Sequence, residues 1–293
     1  FMNIVIARPN ISQVQSLLTT GEIVYAFCIW DEYQDPQLSS NIIDEVQDIN
    51  WLHWTPKNSF IFLFFEKFVR YLHVIDQYQV DILHINGLRD LPAVYLSRQF
   101  SKSKPKIVVT SRNPNTWRNL LKKKMAIAVI RLFADGCVTL SSKNYDILIK
   151  NGINQNKIRM IPNAINLPTE DFLQKKMAID KKIIFYPATI VPRKNQMALL
   201  KAFREVLSEF NQLQLVLAGS TNSDRKYFSE LIRYVNDNNL INSVTILGKI
   251  PHDEVIQYYK ECDLVVFPTK SEMMPRVVIE AMSLGKPVIA SPV

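Results

Sequence analysis

Cysteine is scarce in this chain of 293 residues, and its three cysteines lie far apart. Cys28, Cys137 and Cys262 show no paired spacing, which argues against a disulfide scaffold or a zinc site and favours a reducing compartment. Residues 1–7 are typical of a strand rather than of a signal peptide. We therefore expect a cytoplasmic protein, either free or held peripherally at the inner face of the membrane.

Glycine is also scarce, with seven residues in the whole chain. Neither the dinucleotide-binding motif Gly-x-Gly-x-x-Gly nor the phosphate-binding motif Gly-x4-Gly-Lys-Ser/Thr occurs. Because hydride-transfer enzymes and NTP hydrolases commonly bind their phosphates with these loops, both classes are disfavoured.

Long apolar runs are missing too. The aromatic segment 60–65 is followed closely by Glu66, Lys67 and Arg70, so it is too short and too charged to span a bilayer. The net charge of +8 implies anionic partners, which are phosphates, acidic lipid surfaces or nucleic acid. Segment 117–133 mixes basic and apolar residues, which fits either a helix lying on an anionic membrane or an ordinary solvated helix face.

What the sequence does contain is an alternation of strand-like apolar runs with helical stretches, which predicts an α/β fold with parallel sheets. A polar stretch interrupts the alternation, which then restarts at residue 183. We predict two Rossmann-like domains, residues 1–165 and 166–293, that face a cleft at the carboxyl ends of their strands. The predicted strands are 4–7, 23–29, 82–85, 107–110, 137–140 and 158–161 in the first domain, and 183–185, 215–218, 244–247, 264–267 and 288–290 in the second.

The segment 271–291 places two carboxylates in apolar surroundings. Glu280 lies in an otherwise apolar helical stretch between Pro275, a first-turn proline, and Gly285, a helix-ending glycine. A carboxylate on such a short buried helix needs a partner, and a polar ligand would supply one, although a solvated helix face is the alternative. Glu272 precedes the helix N-terminus, where free N–H groups favour an anionic ligand.

This segment resembles the signature of retaining, nucleotide-sugar-dependent glycosyltransferases with the GT-B fold, in particular family 4. The family has two glutamates separated by seven residues, a small-residue helix and a Gly-x-Pro-Val strand, which are Glu272, Glu280 and residues 285–288 here. The resemblance implies that Glu272 and the backbone at Met274 and Pro275 hold the donor sugar. It also implies that Glu280 holds the ribose.

The resemblance extends to the diphosphate site. Lys194 matches the family's diphosphate lysine, and a diphosphate leaving group needs cations because negative charge grows on it. The family usually has an arginine five residues earlier, where this chain has Thr189, while Arg193 directly precedes Lys194. The alternative is that both cations form the exposed first turn of a helix. The resemblance places Gly219 at the cleft edge and gives the recognition of the base to Lys249 and Ile250.

Acceptor-side residues are less similar to the family. His84 ends a strand as in the family, although a histidine among apolar neighbours is also typical of a core position. Ser111 and Arg112 stand where many relatives have a catalytic histidine, and residues 8–13 replace the family's glycine-rich loop. The family continues after the strand at 288–290 with a further strand and helices, so we expect the second domain to be incomplete.

Together these features imply a hexosyltransferase of polysaccharide biosynthesis that moves a sugar from a UDP- or GDP-sugar to a glycan or lipid-linked acceptor. No cofactor, metal or nucleic acid is expected, and Asp-x-Asp, the metal-binding motif of the other main glycosyltransferase fold, is absent. The alternatives are a sugar-nucleotide epimerase of the same fold and a non-catalytic basic module that binds membranes or nucleic acid.

Overall fold

The computed structural model describes residues 3–7, 23–29, 50–54, 60–86, 88, 90–111, 120–165 and 181–292, with side chains from residue 64 onward except at 120–123. The chain divides into two compact units, residues 1–163 and 164–293.

The first unit contains a sheet of seven parallel strands in the order β3-β2-β1-β4-β5-β6-β7. Its strands are β1 (Asn3–Ala7), β2 (Ile23–Ile29), β3 (Asn50–Trp54), β4 (Ile82–Ile85), β5 (Lys106–Ser111), β6 (Gly136–Thr139) and β7 (Ile158–Met160). Its described helices are α1 (Phe60–Gln77), α2 (Leu91–Phe100), α3 (Leu120–Phe133) and α4 (Ser142–Lys150). Every pair of neighbouring strands is parallel, so the carboxyl ends of all seven strands lie at one edge of the sheet.

The second unit has a sheet of five parallel strands in the order β10-β9-β8-β11-β12. The strands are β8 (Lys182–Pro187), β9 (Leu213–Ala218), β10 (Val244–Gly248), β11 (Leu264–Phe267) and β12 (Val288–Ala290). The helices are α5 (Gln196–Glu209), α6 (Arg225–Asp237), α7 (His252–Glu261) and α8 (Arg276–Ser283).

Neighbouring residues of each central strand of the second unit enter different cores. Phe185 packs in a cluster with Tyr259 and Ala281, whereas the next residue, Tyr186, packs with Leu200 and others on the opposite face. Because successive side chains of a strand point to opposite faces, a strand buried on both faces must be apolar throughout. This explains the continuous apolar runs in the sequence and confirms the predicted α/β class.

Two findings refine the predictions. The strand β3, with its mixture of polar and aromatic residues, was not predicted because it lacks an aliphatic run. The expectation that α8 is buried is wrong, since Ala281 is its one buried residue and Met282 is 65% exposed. Because α8 packs on β11 and β12 with one face only, its other side meets solvent.

The segment 117–133 is described from residue 120, where it forms α3. Ile127 and Ile130 are buried, whereas Met125 and Leu132 are exposed, each next in the chain to an exposed basic residue, Lys124 or Arg131. Among the described helices, none combines the length and the apolar composition that crossing a membrane requires.

Candidate active site

The two loops that follow the adjacent strands β8 and β11 bring three predicted site residues into contact. Lys194 Nζ donates a hydrogen bond of 2.6 Å to Glu272 Oε1, and Arg193 Nη1 donates one of 2.5 Å to the same oxygen. Arg193 Nη1 also donates to the backbone oxygen of Ser271 at 2.7 Å. Two cations therefore face one carboxylate, which leaves an excess positive charge at the carboxyl edge of the sheet. Open α/β sheets bind ligands at this edge.

Backbone contacts hold the loop after β8 in place. Residues Pro192–Lys194 form one turn of 3-10 helix, and Asn195 ends it with a left-handed backbone (φ 61°). The Asn195 side chain donates to the backbone oxygen of Pro268, and the N–H of Lys270 donates to the backbone oxygen of Arg193. The hydroxyl of Tyr186 donates to the backbone oxygen of Lys194 at 2.7 Å. The cations are thus positioned by the fold before any ligand binds.

The surroundings of Lys194 favour a negatively charged partner. Its side chain is only 14% exposed, and its ammonium lies 4.7 Å from the centre of the Phe267 ring. The pKa of the ammonium is lowered, first by burial and also by the neighbouring charge of Arg193, although the hydrogen bond and the charge of Glu272 act in the opposite direction. A largely desolvated ammonium gains more from an anion than one in water does.

Gly219 connects the loops of three strands. Its N–H donates to the backbone oxygen of Gly248 at 2.7 Å, at the end of β10. A Cβ on Gly219, whose φ is 153°, would lie 2.2 Å from the backbone oxygen of Ala188, at the start of the loop that carries the cations. Only a glycine permits this close approach. Gly219 therefore supports the Lys194 loop through the backbone.

Glu280 lies on α8 in a second group of polar side chains. Its Oε2 accepts a hydrogen bond of 3.1 Å from the hydroxyl of the fully buried Tyr259 on α7. Its Oε1 lies 3.5 Å from Nε2 of His252. Burial alone would raise the pKa of the Glu280 carboxyl, but the hydrogen bond and the charge of His252, together with the hydrogen bond from Tyr259, hold it below its usual range.

The other predicted donor-side residues lie in neighbouring loops. Met274 is half-buried before α8, and Pro275 occupies the N-cap position of α8 without a side-chain capping hydrogen bond. Lys249 follows β10 and is exposed, whereas Ile250 packs against the core cluster on the α7 side of the sheet. Both pairs of residues therefore follow strands at the same edge of the sheet as Lys194.

The predicted acceptor-side residues belong to the first unit. His84 Nε2 lies 2.7 Å from Thr110 Oγ1, so the ring takes part in a hydrogen bond between β4 and β5. Ser111 is buried, and its backbone oxygen accepts a hydrogen bond of 3.1 Å from the Asn144 side chain. Arg112 lies outside the described residues.

Sequence reasoning missed Tyr259, His252 and Asn195. Tyr259 follows another tyrosine on an amphipathic helix, where either ring fits the core. A histidine at the first position of α7 is typical of a solvated helix end. Asn195 carried a signal, since asparagine tolerates the left-handed conformation before a helix.

Two family sequence profiles match consecutive parts of the chain. The profile described as "Glycosyltransferase Family 4" matches residues 26–168, and the one described as "Glycosyl transferases group 1" matches residues 169–293. Together they cover nearly the whole chain.

One relative and two solved structures illustrate the similarity. The alpha-monoglucosyldiacylglycerol synthase of Streptococcus pneumoniae is 26% identical over 252 residues, which is 77% of this chain and 55% of that protein. The structure of Anabaena HepE in complex with UDP-glucose matches all of this chain and 81% of its own, with a TM-score of 0.81 and 17% identity. The UDP-GlcNAc 2-epimerase of Methanocaldococcus jannaschii matches 99% of this chain and 83% of its own, with a TM-score of 0.66 and 11% identity. The chain thus spans about half the length of the first of these proteins.

Proposed function

We propose that this chain, which belongs to the glycosyltransferases of family 4 with the GT-B fold, moves a sugar from a nucleoside-diphosphate donor to an acceptor. The proposal rests on the contact of Arg193 and Lys194 with Glu272 at the carboxyl edge of the second sheet.

The chemistry of the leaving group connects this contact to transfer. When the bond between the sugar and the diphosphate breaks, negative charge grows on the diphosphate, and preorganised cations stabilise that charge. Lys194 and Arg193 supply two such cations on a loop fixed by backbone hydrogen bonds. Glu272 accepts hydrogen bonds from both cations. Its carboxylate is placed to release one of them and to accept a hydrogen bond from a sugar hydroxyl instead. No metal is needed for this step.

Family membership also supports a proposal for the finer features of the reaction. We propose retention of the anomeric configuration and a UDP- or GDP-sugar donor, and the UDP-glucose named in the HepE structure supports UDP. The S. pneumoniae relative is named for a glucosylated diacylglycerol, which supports a lipid or lipid-linked acceptor. Such an acceptor would suit a peripheral contact of α3 with an anionic membrane, where Lys124 and Arg131 lie near exposed Met125 and Leu132.

The second candidate is a sugar-nucleotide epimerase, which the structural similarity to UDP-GlcNAc 2-epimerase keeps open. An epimerase converts its sugar nucleotide without an acceptor. Incubation of the chain with UDP-GlcNAc alone, followed by NMR of the anomeric protons, separates the two functions, since only an epimerase produces a new sugar nucleotide.

Calorimetry with UDP-glucose, UDP-GlcNAc and GDP-mannose tests the proposal. We expect one of them to bind, and we expect Lys194→Met to weaken it by about tenfold to a hundredfold, as the loss of a charge-assisted hydrogen bond predicts. The matched control is Lys201→Met, which removes an exposed lysine from α5 in the same unit. Equal losses in both variants, or binding of none of the three, would contradict the proposal, whereas salt-sensitive nucleic-acid binding alone would favour a non-catalytic module.

A further inference from the structure

The two oxygens of the Glu280 carboxylate have different partners. Oε2 accepts from the Tyr259 hydroxyl, which is buried and also lies 3.2 Å from the backbone oxygen of Val277 in the first turn of α8. Oε1 has the imidazole of His252 at 3.5 Å, a long contact to a side chain that is 65% exposed. One oxygen is thus fixed from inside the protein, and the other has a weak partner on the solvent side.

This asymmetry restricts the orientation of the carboxylate. Tyr259 projects from α7 and cannot move without disturbing the core, because its ring packs edge-on against Phe185 with centroids 5.4 Å apart. A carboxylate held through Oε2 by a rigid donor presents Oε1 in one direction. Preorganisation of this kind lowers the entropy lost when a ligand is bound.

The charges around His252 make its contact with Oε1 depend on pH. The hydrogen bond to Glu280 raises the pKa of His252 and outweighs the opposing effect of burial. Asp253 on the same helix also raises this pKa, whereas Arg276 on α8 lowers it. Glu280 itself stays ionised at neutral pH because its pKa is held low. The contact is therefore strongest when the imidazole is protonated.

We infer that Tyr259 is a positioning residue which presents Glu280 Oε1 to the ribose hydroxyls of the nucleotide, and that His252 occupies this oxygen until the nucleotide displaces it. The inference rests on the proposed function, in which Glu280 holds the ribose. Tyr259 then strengthens the binding only of ligands that carry the ribose hydroxyls. His252 acts as a competitor, so donor binding strengthens as the imidazole loses its proton.

The first test compares ligands with and without the ribose hydroxyls, using whichever of UDP-glucose, UDP-GlcNAc and GDP-mannose binds the parent chain. We expect Tyr259→Phe to weaken the ribonucleotide by about tenfold and its 2′,3′-dideoxy form by less than about twofold. Tyr258→Phe is the matched control, since this neighbouring tyrosine stacks on Phe185 and is not assigned to the site. If Tyr259→Phe weakens both ligands equally, the tyrosine has only a structural role and the inference is overturned.

The second test is the pH dependence of donor affinity. The diphosphate of a sugar nucleotide keeps its charge between about pH 6 and about pH 8.5, so a trend in this range reports on the protein. For the parent chain we expect the donor to bind severalfold more tightly at the upper end of this pH range than at the lower end. For His252→Gln we expect an affinity that does not change with pH. An equal slope in both proteins, or tighter binding at low pH, would overturn the role of His252.

The two tests separate this inference from the proposed function. If no nucleotide sugar binds the parent chain, the proposed function fails and the inference fails with it. The other outcome is that the donor binds with an affinity that depends on Lys194 but responds neither to the ribose hydroxyls in the first test nor to pH in the second. In that case the proposed function stands and only the inference is overturned.

Discussion

Lys194 and Glu272 are separated by 78 positions in the chain, yet Lys194 Nζ donates a hydrogen bond of 2.6 Å to Glu272 Oε1. The contact arises because β8 and β11 are neighbours in the sheet and are parallel, so the loops at their carboxyl ends meet. A diphosphate entering the site must compete with the carboxylate for the same ammonium.

We therefore predict that Glu272→Gln strengthens the binding of a nucleoside diphosphate but abolishes transfer. The amide cannot pair with Lys194 and Arg193 as the carboxylate does, so both cations become available to phosphate, and UDP or GDP should bind about tenfold tighter. Transfer should be lost because no carboxylate remains for the sugar hydroxyls. Calorimetry with the free nucleotide and a transfer assay measure the two effects separately.

The control for this variant is Glu205→Gln, which removes an equal charge from an exposed position on α5. A matching increase in nucleotide affinity would show that the net charge, not the contact with Lys194, is responsible. Weaker nucleotide binding by the Glu272→Gln variant would show that Glu272 does not compete with the diphosphate for Lys194.

A second prediction concerns stability at Gly219. A methyl group there would lie 2.2 Å from the backbone oxygen of Ala188, so Gly219→Ala must shift the backbone and should cost about 3 kcal/mol of unfolding free energy or more. Gly285→Ala is the comparison. Its φ of 68° is also left-handed, but open space surrounds it, so only the conformational cost of about 1–2 kcal/mol applies.

Denaturant unfolding of both glycine variants checks this order. If Gly219→Ala is no less stable than Gly285→Ala, the close approach of the two loops is not rigid in solution.

The fold was predictable from the sequence because apolar runs and their interruptions are local. The strands 82–85, 264–267 and 288–290 were predicted with the bounds that the structure has. The helix-ending role of Gly285 was also predicted, and the structure shows its left-handed backbone with the Lys286 N–H donating to the backbone oxygen of Ala281. The family was recognised from the two glutamates and is confirmed by the two profiles.

The contacts of the site were not predictable, because they depend on the order of strands in the sheet. Nothing near Lys194 in the sequence indicates that β11 lies beside β8, and so the partner of the ammonium could not be named. The pattern around Glu280 indicated that its carboxylate needs a partner. It could not indicate that Tyr259 and His252 on the preceding helix supply one, and the role of Glu280 toward a ligand stays a prediction.

A third prediction concerns a buried ion pair in the first unit. Lys67 Nζ lies 2.6 Å from Asp90 Oδ1, and the Asp90 side chain is only 1% exposed. Asp90→Ala should cost about 3–5 kcal/mol because it leaves a buried ammonium without its carboxylate. The double variant Lys67→Met/Asp90→Leu should recover much of the loss. Thermal unfolding of the parent chain, the single variant and the double variant tests this prediction. A double variant as unstable as the single one would show that the ion pair itself stabilises the protein, and that the unpaired ammonium is not the cause of the loss.

The last prediction is that donor binding and transfer persist without divalent metal ions. A diphosphate needs positive charge while its bond to the sugar breaks, and many enzymes supply it with a metal ion. In this chain the loop after β8 presents Arg193 and Lys194 together, and Tyr186 fixes the backbone of Lys194. We expect transfer rates in EDTA within about twofold of those in magnesium, since two preorganised side-chain charges serve the same purpose. Melting temperatures in both buffers control for an effect of EDTA on stability. A rate that falls in EDTA and returns with magnesium or manganese, at an unchanged melting temperature, would show that the two side chains alone do not stabilise the leaving group.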